Sequence, residues 1–231
     1  MNLILSCLCC ALVAGSPLQE LSSDLPEVLR QIDQHSSRIT TLKAKFKQVK
    51  HSDLLRKPLT SSGIVRMLED RVRWDTELPS TSVLMASSEG VRIYYPDLRV
   101  VEIYPLSDRL KQLAGSPVFR LSELSRHFTI QSDLEVSESG ELSLDLVPSD
   151  ESLGKHLRSI HLDVHVDTGI VRRAEVLNAD DERTEIIFEG IRINSPMDAS
   201  DIELRVPDDA RTVHPLGKDP QRTSSENGAD A

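Results

Sequence analysis

The feature that most constrains this chain is a succession of short runs in which apolar and polar residues alternate. "IHLDVHVD" sets Ile160, Leu162, Val164 and Val166 against His161, Asp163, His165 and Asp167. "LSLDLV" sets Leu142, Leu144 and Leu146 against Ser143 and Asp145. A period of two sends successive side chains to opposite faces of a strand, so each run has one dry face and one wet face. "FTIQSDLEV" (128–136), "IVRRAEVL" and "RTEIIFEGIRI" continue the series. One-sided strands need cover, either from opposite strands in a closed barrel or from helices over an open sheet. The alternation by itself leaves both solutions open.

An earlier set of strands precedes these. "SGIVRML", "RVRWDTEL", "SVLMAS", "VRIYYP" and "RVVEIYP" follow one another with only Glu69-Asp70, Pro79-Ser80, Glu89-Gly90 and Pro96-Asp97 between them. Connections this short predict a meander of antiparallel hairpins. In "RVRWDTELP" the lone tryptophan, Trp74, shares the apolar side with Val72 and Leu78, while Arg71, Arg73, Asp75 and Glu77 take the other. "LKAKFKQV" (42–49) begins the first strand. Ahead of it, residues 22–38 predict a helix, with Ser23 or Asp24 as cap, Pro26 in the first turn and Leu25, Val28, Leu29 and Ile32 on one face. Between the two strand sets, "SDRLKQLAG" (107–115) and "SPVFRLSELSRH" (116–127) have helical spacing. Near the end, "SPMDASDIELRVP" predicts a helical turn and a strand stub.

The ends differ from the middle. Residues 1–16, "MNLILSCLCCALVAGS", carry no charge and are nearly all apolar, too short to span a bilayer and suited to a secretory signal. Cys7, Cys9 and Cys10 all fall inside it, so the mature chain is predicted to have neither a disulfide nor a thiolate site. Lipidation of Cys7 fits poorly, because more apolar sequence follows it. The composition of 211–231 predicts a disordered tail, which leaves 17–210 as one domain. The net charge of −10 argues against nucleic acid and against electrostatic docking to an anionic membrane.

No catalytic constellation stands out: there is no phosphate-binding glycine loop, GxSxG turn or HExxH. His161 and His165 stand roughly 13 Å apart on a strand and cannot share one ion, although His161 with Asp163 could reach one. The plainer reading of "HLDVHVD" is a solvated strand face, and Asp180-Asp181 reads as turn chemistry. An enzyme with a rim Ser, His and Asp is the alternative from another class, and an exported β-domain with a filled core is a third. No cofactor and no metal are expected.

The run from Ser62 to Leu106, G…RVRW…P…VLMAS.EG..IYYPDL..VEIYPL, resembles the core of the LolA family of periplasmic outer-membrane lipoprotein carriers. The resemblance is carried by Arg71–Trp74, Pro79, Val83–Gly90, Ile93–Pro96 and Val100–Ile103. Phe46 and Gln48 match the family's a-x-F-x-Q strand, "SPVFRL" its lid helix, and "DASDIELRVP" its closing segment, so about residues 22–210 are covered. Where the family often has Arg-Pro before the RW strand, with an arginine implicated in lid closure, this chain has Leu68-Glu69. Ile202 stands where an aromatic is common.

The resemblance implies a mainly β fold: an open, curved antiparallel sheet forming an unclosed half-barrel. Its concave apolar face would be covered by an N-terminal helix and a mid-chain helical lid. Acyl chains of lipoproteins, or another lipid, would lie between sheet and lid. The cavity would be lined by Val72, Trp74 and Leu78, then by Leu84, Ile93, Tyr95, Val101 and Ile103, under a lid carrying Val118, Phe119 and Leu121. Implied partners are acylated lipoproteins, an inner-membrane lipoprotein-release complex and an outer-membrane acceptor, with the chain a periplasmic monomer. A relative that carries another amphiphile, or senses mislocalised lipoprotein, is the near alternative.

Overall fold

The computed structural model describes residues 24–104 and 117–215. The alternating runs form twelve strands of a single sheet. The first six are β1 (Thr41–His51), β2 (Leu59–Leu68), β3 (Arg71–Leu78), β4 (Ser82–Ser87), β5 (Gly90–Tyr95) and β6 (Val100–Tyr104). The others are β7 (Phe128–Gln131), β8 (Glu141–Pro148), β9 (Leu157–His165), β10 (Ile170–Asn178), β11 (Arg183–Ile193) and β12 (Arg211–Val213). In space they run β12-β6-β5-β4-β3-β2-β1-β11-β10-β9-β8-β7. Two meanders are thus joined where β1 pairs with β11, and β7 and β12 are edges that do not meet. The sheet is open, which decides the question that alternation left undecided.

Register sorts the side chains into two faces, because cross-strand partners project the same way. Ala44, Val65, Trp74, Leu84 and Ile93 are successive partners across β1 to β5. Leu144, Leu162, Ala174 and Ile186 are successive partners across β8 to β11. Phe46 and Phe188 face one another at the seam. This inner face carries the main core, in which Val65, Leu142, Leu144, Leu146 and Val164 are fully buried. The helix α1 (Leu25–Ser36) lays Val28, Leu29 and Ile32 into that core, the face that its spacing predicts. Its C-terminal end rests on the β9–β10 turn. Gly169 there has φ +69°, and a Cβ on it would lie 2.6 Å from the Ser36 Cβ. No other residue fits so close a helix–turn contact.

The mid-chain segment departs from the helical spacing of 116–127. Val118 bridges to Ile170 and the Val171 N–H donates to the Pro117 carbonyl, so 117–120 runs extended against the start of β10. Only Leu121–Leu124 is helical. A free β10 edge at that point offers backbone partners that a helix would forgo. The other expected helix, 107–115, lies outside the described residues.

The last third brings two more differences. "FTIQSDLEV" is a strand only as far as Gln131, because Leu134 takes a left-handed φ of 62°. After the helical turn Ala199–Ile202 there is no strand until β12, at 211–213, inside the stretch whose composition predicts a disordered tail. β12 pairs in parallel with the otherwise unpaired edge of β6, a stabilisation by backbone bonds to which composition is blind. The segment between crosses the outer face of the sheet, where Ile202 is fully buried and Arg73 hydrogen-bonds the Glu203 carbonyl.

Candidate apolar chamber

The inner face is not filled throughout. A cavity of about 230 Å³ lies between the sheet and the 117–124 strap. Its sheet walls come mostly from the second meander: Leu146 of β8, Leu157, Ile160 and Leu162 of β9, Ala174 and Val176 of β10, and Ile186 and Phe188 of β11. Trp74 closes it from the first meander, and Phe119 and Leu124 close it from the strap. Every described lining residue is apolar. That lining offers no side-chain partner to hold an ordered water.

The aromatic wall is built by packing. The Trp74 ring meets Phe46 at a centroid distance of 4.6 Å and 63°, and Phe188 at 5.6 Å and 58°. Space for this group is made at Gly63, where a Cβ would lie 1.9 Å from the Asp75 carbonyl oxygen and 3.0 Å from the Phe46 ring.

The strap is held by polar contacts at its edge. Asp33 of α1 accepts from the backbone N–H of Leu121 at 2.7 Å and of Ser122 at 2.9 Å, and from the Ser122 hydroxyl. Leu121 and Leu124 are then buried beneath it. On the other side of Phe119 lies an open groove of about 600 Å³, bordered by Met67, Val72, Ala86 and Val118, with Glu69, Asp70, Arg120 and Glu123 at its rim. Phe119 lines both spaces and so forms the partition between them.

The residues expected to line the cavity are distributed unevenly. Trp74 and Phe119 line it. Val72 and Val118 line the open groove, and Leu121 is buried core. Leu84, Ile93 and Tyr95 lie on the inner face by register, but outside the chamber. Leu78 is 61% exposed at the end of β3. Val101 and Ile103 belong to the outer face, because Glu102, not they, pairs with Ile93. Alternation in "RVVEIYP" offered no means of choosing which face was inner. Unforeseen as cavity residues were the β8–β11 side chains, although their dry faces are plain in "LSLDLV" and "IHLDVHVD". Alternation gives a face, and what stands across from it depends on tertiary packing.

Polar groups on the two faces have separate tasks. Arg66 and Arg73 both pair with Asp75 on the outer face, and Arg71 borders an outer groove. On the inner face beyond Ile93, the Glu102 carboxylate accepts from the hydroxyls of Tyr104 at 2.8 Å and Tyr95 at 3.2 Å. The bond to Glu102, with burial, pushes the Tyr104 hydroxyl up to about 12. His161 sits between Asp145 and Asp163 at 2.8 and 3.3 Å, which makes it part of an ion-paired strand face. Among the described residues no group of three or more acids, histidines or cysteines is placed to hold a metal ion.

The open sheet and its strap thus form a concave site whose described lining is apolar, the kind of surface that takes apolar ligands. Sequence comparison gives the family. Residues 37–202 match the model of "Outer membrane lipoprotein carrier protein LolA", and the chain belongs to that family. It is 27% identical over 187 residues to an outer-membrane lipoprotein carrier protein of Azotobacter vinelandii, covering 78% of this chain and 84% of that one. A Coxiella burnetii protein of the same description is 26% identical over 194 residues, covering 81% and 87%. Among solved structures, an uncharacterized conserved protein from Thermus thermophilus shares the fold with TM-score 0.52 at 12% identity, covering 81% of this chain and 97% of that chain.

Proposed function

We propose that this chain is a periplasmic carrier that shields the acyl chains of lipoproteins on their way to the outer membrane. The observation that carries this reading is the chamber of about 230 Å³ whose described lining residues are all apolar, bounded by a short strap held to α1 through Asp33 and to the start of β10 through Pro117 and Val118. Each methylene transferred from water to such a site gains about 0.8 kcal/mol, so an acyl chain does not cross water unescorted at a useful rate. The chamber is smaller than the ~300–1,000 Å³ of ordinary small-molecule sites, so a multiply acylated cargo must displace the strap and open into the neighbouring groove. Side chains bordering unfilled space lose dispersion contacts, which cargo restores when it enters. Loading and release can then both lie near balance.

The reading assigns residues 1–16 to export and gives the protein an inner-membrane release complex as donor and an outer-membrane acceptor. Catalysis has no part in it. The test is uptake of an apolar fluorescent probe by the purified protein, followed by displacement with a lipoprotein and with its unacylated form. Displacement by the acylated form alone is the expected result. No uptake, or equal displacement by both, rejects the proposal, and stronger displacement by a free phospholipid reassigns the cargo to another amphiphile.

A further inference from the structure

Eight large apolar side chains are strongly exposed among the described residues, and six of them lie at one end of the sheet. That end holds the β1–β2, β3–β4 and β5–β6 connections. Leu54 and Leu55 are in the first, 91% and 42% exposed, and Leu59 opens β2 at 46%. Leu78 closes β3, Leu98 lies in the turn before β6 at 70%, and Val147 is the penultimate residue of β8. Leu54, Leu55, Leu59 and Leu78 belong to the neighbouring strands β1 to β3 and their connections, so these four share one stretch of the rim rather than being scattered singly.

The tip is shaped rather than slack. Ser52 holds a turn, its carbonyl accepting from the Leu55 N–H at 2.9 Å and its hydroxyl from the Leu54 N–H at 3.3 Å, and this turn displays Leu54 outward. Arg56 and Lys57 follow, both exposed. Lys50, Arg99 and Arg158 of the same rim are paired with Glu182, Asp209 and Asp181. The connection 52–58 carries two cations against one carboxylate, Asp53, in a chain whose net charge is −10. Apolar side chains beside exposed cations match a bilayer interface with anionic headgroups. Beyond roughly 10 Å, salt screening weakens the repulsion from the acidic groups elsewhere on the molecule, so the charges nearest the surface weigh most.

The chamber lies toward the same end. Leu157 is the first residue of β9, and Leu146, Val176 and Ile186 stand within four residues of the ends of β8, β10 and β11 on that side. The open groove, bordered by the β2–β3 and β4–β5 turns, is at the other end.

We infer that the leucine-bearing rim, led by Leu54 and Leu55 with Arg56 and Lys57, docks on an anionic lipid surface and brings the chamber end of the sheet to the membrane. This extends the carrier reading, but its test does not depend on that reading. The soluble protein purified after expression of the full chain is floated with vesicles of phosphatidylethanolamine and phosphatidylglycerol, and with vesicles of phosphatidylcholine alone. Flotation with the anionic vesicles is expected, with at least a tenfold loss in L54S/L55S and a clear loss in R56S/K57S, while apolar-probe uptake stays at the wild-type level in both. Failure of the wild type to float, or equal flotation of L54S/L55S, overturns the inference. So does a wild-type dimer in sedimentation that L54S/L55S converts to monomer without any flotation, which would assign the rim to a second copy. Equal flotation on phosphatidylcholine overturns the anionic preference. Loss of probe uptake by the wild type with flotation intact rejects the carrier reading and leaves this one standing.

Discussion

The ring of Trp74 meets that of Phe46 edge-on, 4.6 Å between centroids, beside the seam where Phe46 of β1 faces Phe188 of β11 and the two halves of the sheet join. Trp74 is 9% exposed and also walls the chamber, so it serves packing and enclosure together. Trp74→Ala should lower stability by about 3 kcal/mol or more, as large-to-small core changes do. It should also speed release of a bound apolar probe. Trp74→Phe should recover most of both, as read by urea unfolding and by probe dissociation.

Asp33 is the latch of the strap. Asp33→Ala removes the acceptor of two backbone N–H groups and one hydroxyl at Leu121 and Ser122. Hydrogen bonds to a charged group are worth about 1.5–3 kcal/mol each, and water replaces part of that at this exposed edge. The expected outcome is faster probe entry in stopped-flow mixing and faster amide exchange at 121–124, with little change in the β-sheet amides.

Phe119→Ala should join the chamber to the groove, since that ring borders both. Uptake of a bulkier probe should rise relative to a slim one. Equal ratios in the variant and the wild type would show that Phe119 is no partition.

How much of this could be read from the sequence depended on what each pattern encodes. The strands, the helix over Leu25–Ser36 and the inward side of Trp74 follow from local alternation and spacing, which the backbone obeys directly. The extended course of 117–120 is a tertiary effect, because the β10 edge supplies bonds that "SPVFRL" cannot announce. Placing the cavity beside Val101 and Ile103 failed for a related reason. In "RVVEIYP" apolar residues occupy both parities, and only pairing with β5 decides which faces inward. Glu102 is the inner residue there, an acid where an apolar side chain was expected.

Gly63 is the position where a single added methyl should do most harm. A Cβ there would stand 1.9 Å from the backbone oxygen of Asp75, on the neighbouring strand, with the Phe46 ring behind it at 3.0 Å. Backbone cannot step aside as a flexible side chain does. Gly63→Ala should therefore cost about 3 kcal/mol, at the upper end of ordinary overpacking. Gly154→Ala, where a Cβ meets nothing within 4 Å, is the matched control and should be near neutral in the same thermal unfolding assay.

The Tyr104–Glu102 bond makes a prediction about alkaline pH. Ionising Tyr104 would destroy its hydrogen bond to Glu102 and place a phenolate beside a carboxylate 2.8 Å away. For this reason, with burial adding to it, the hydroxyl is pushed up to about 12, above the usual tyrosine value of about 10. A folded-state value raised above the unfolded one stabilises the protein fully below the unfolded value and less as pH climbs toward the folded one. Stability should therefore hold up to about pH 10 and fall between about 10 and 12. Tyr95 is raised in the same direction, by burial first and by Glu102 second. Glu102→Gln should move the phenolate absorbance transition of Tyr104 down toward 10, and Tyr104→Phe should flatten the alkaline loss to the part that Tyr95 supplies. An unchanged alkaline slope in Tyr104→Phe would mean that the hydroxyl pair does not govern it.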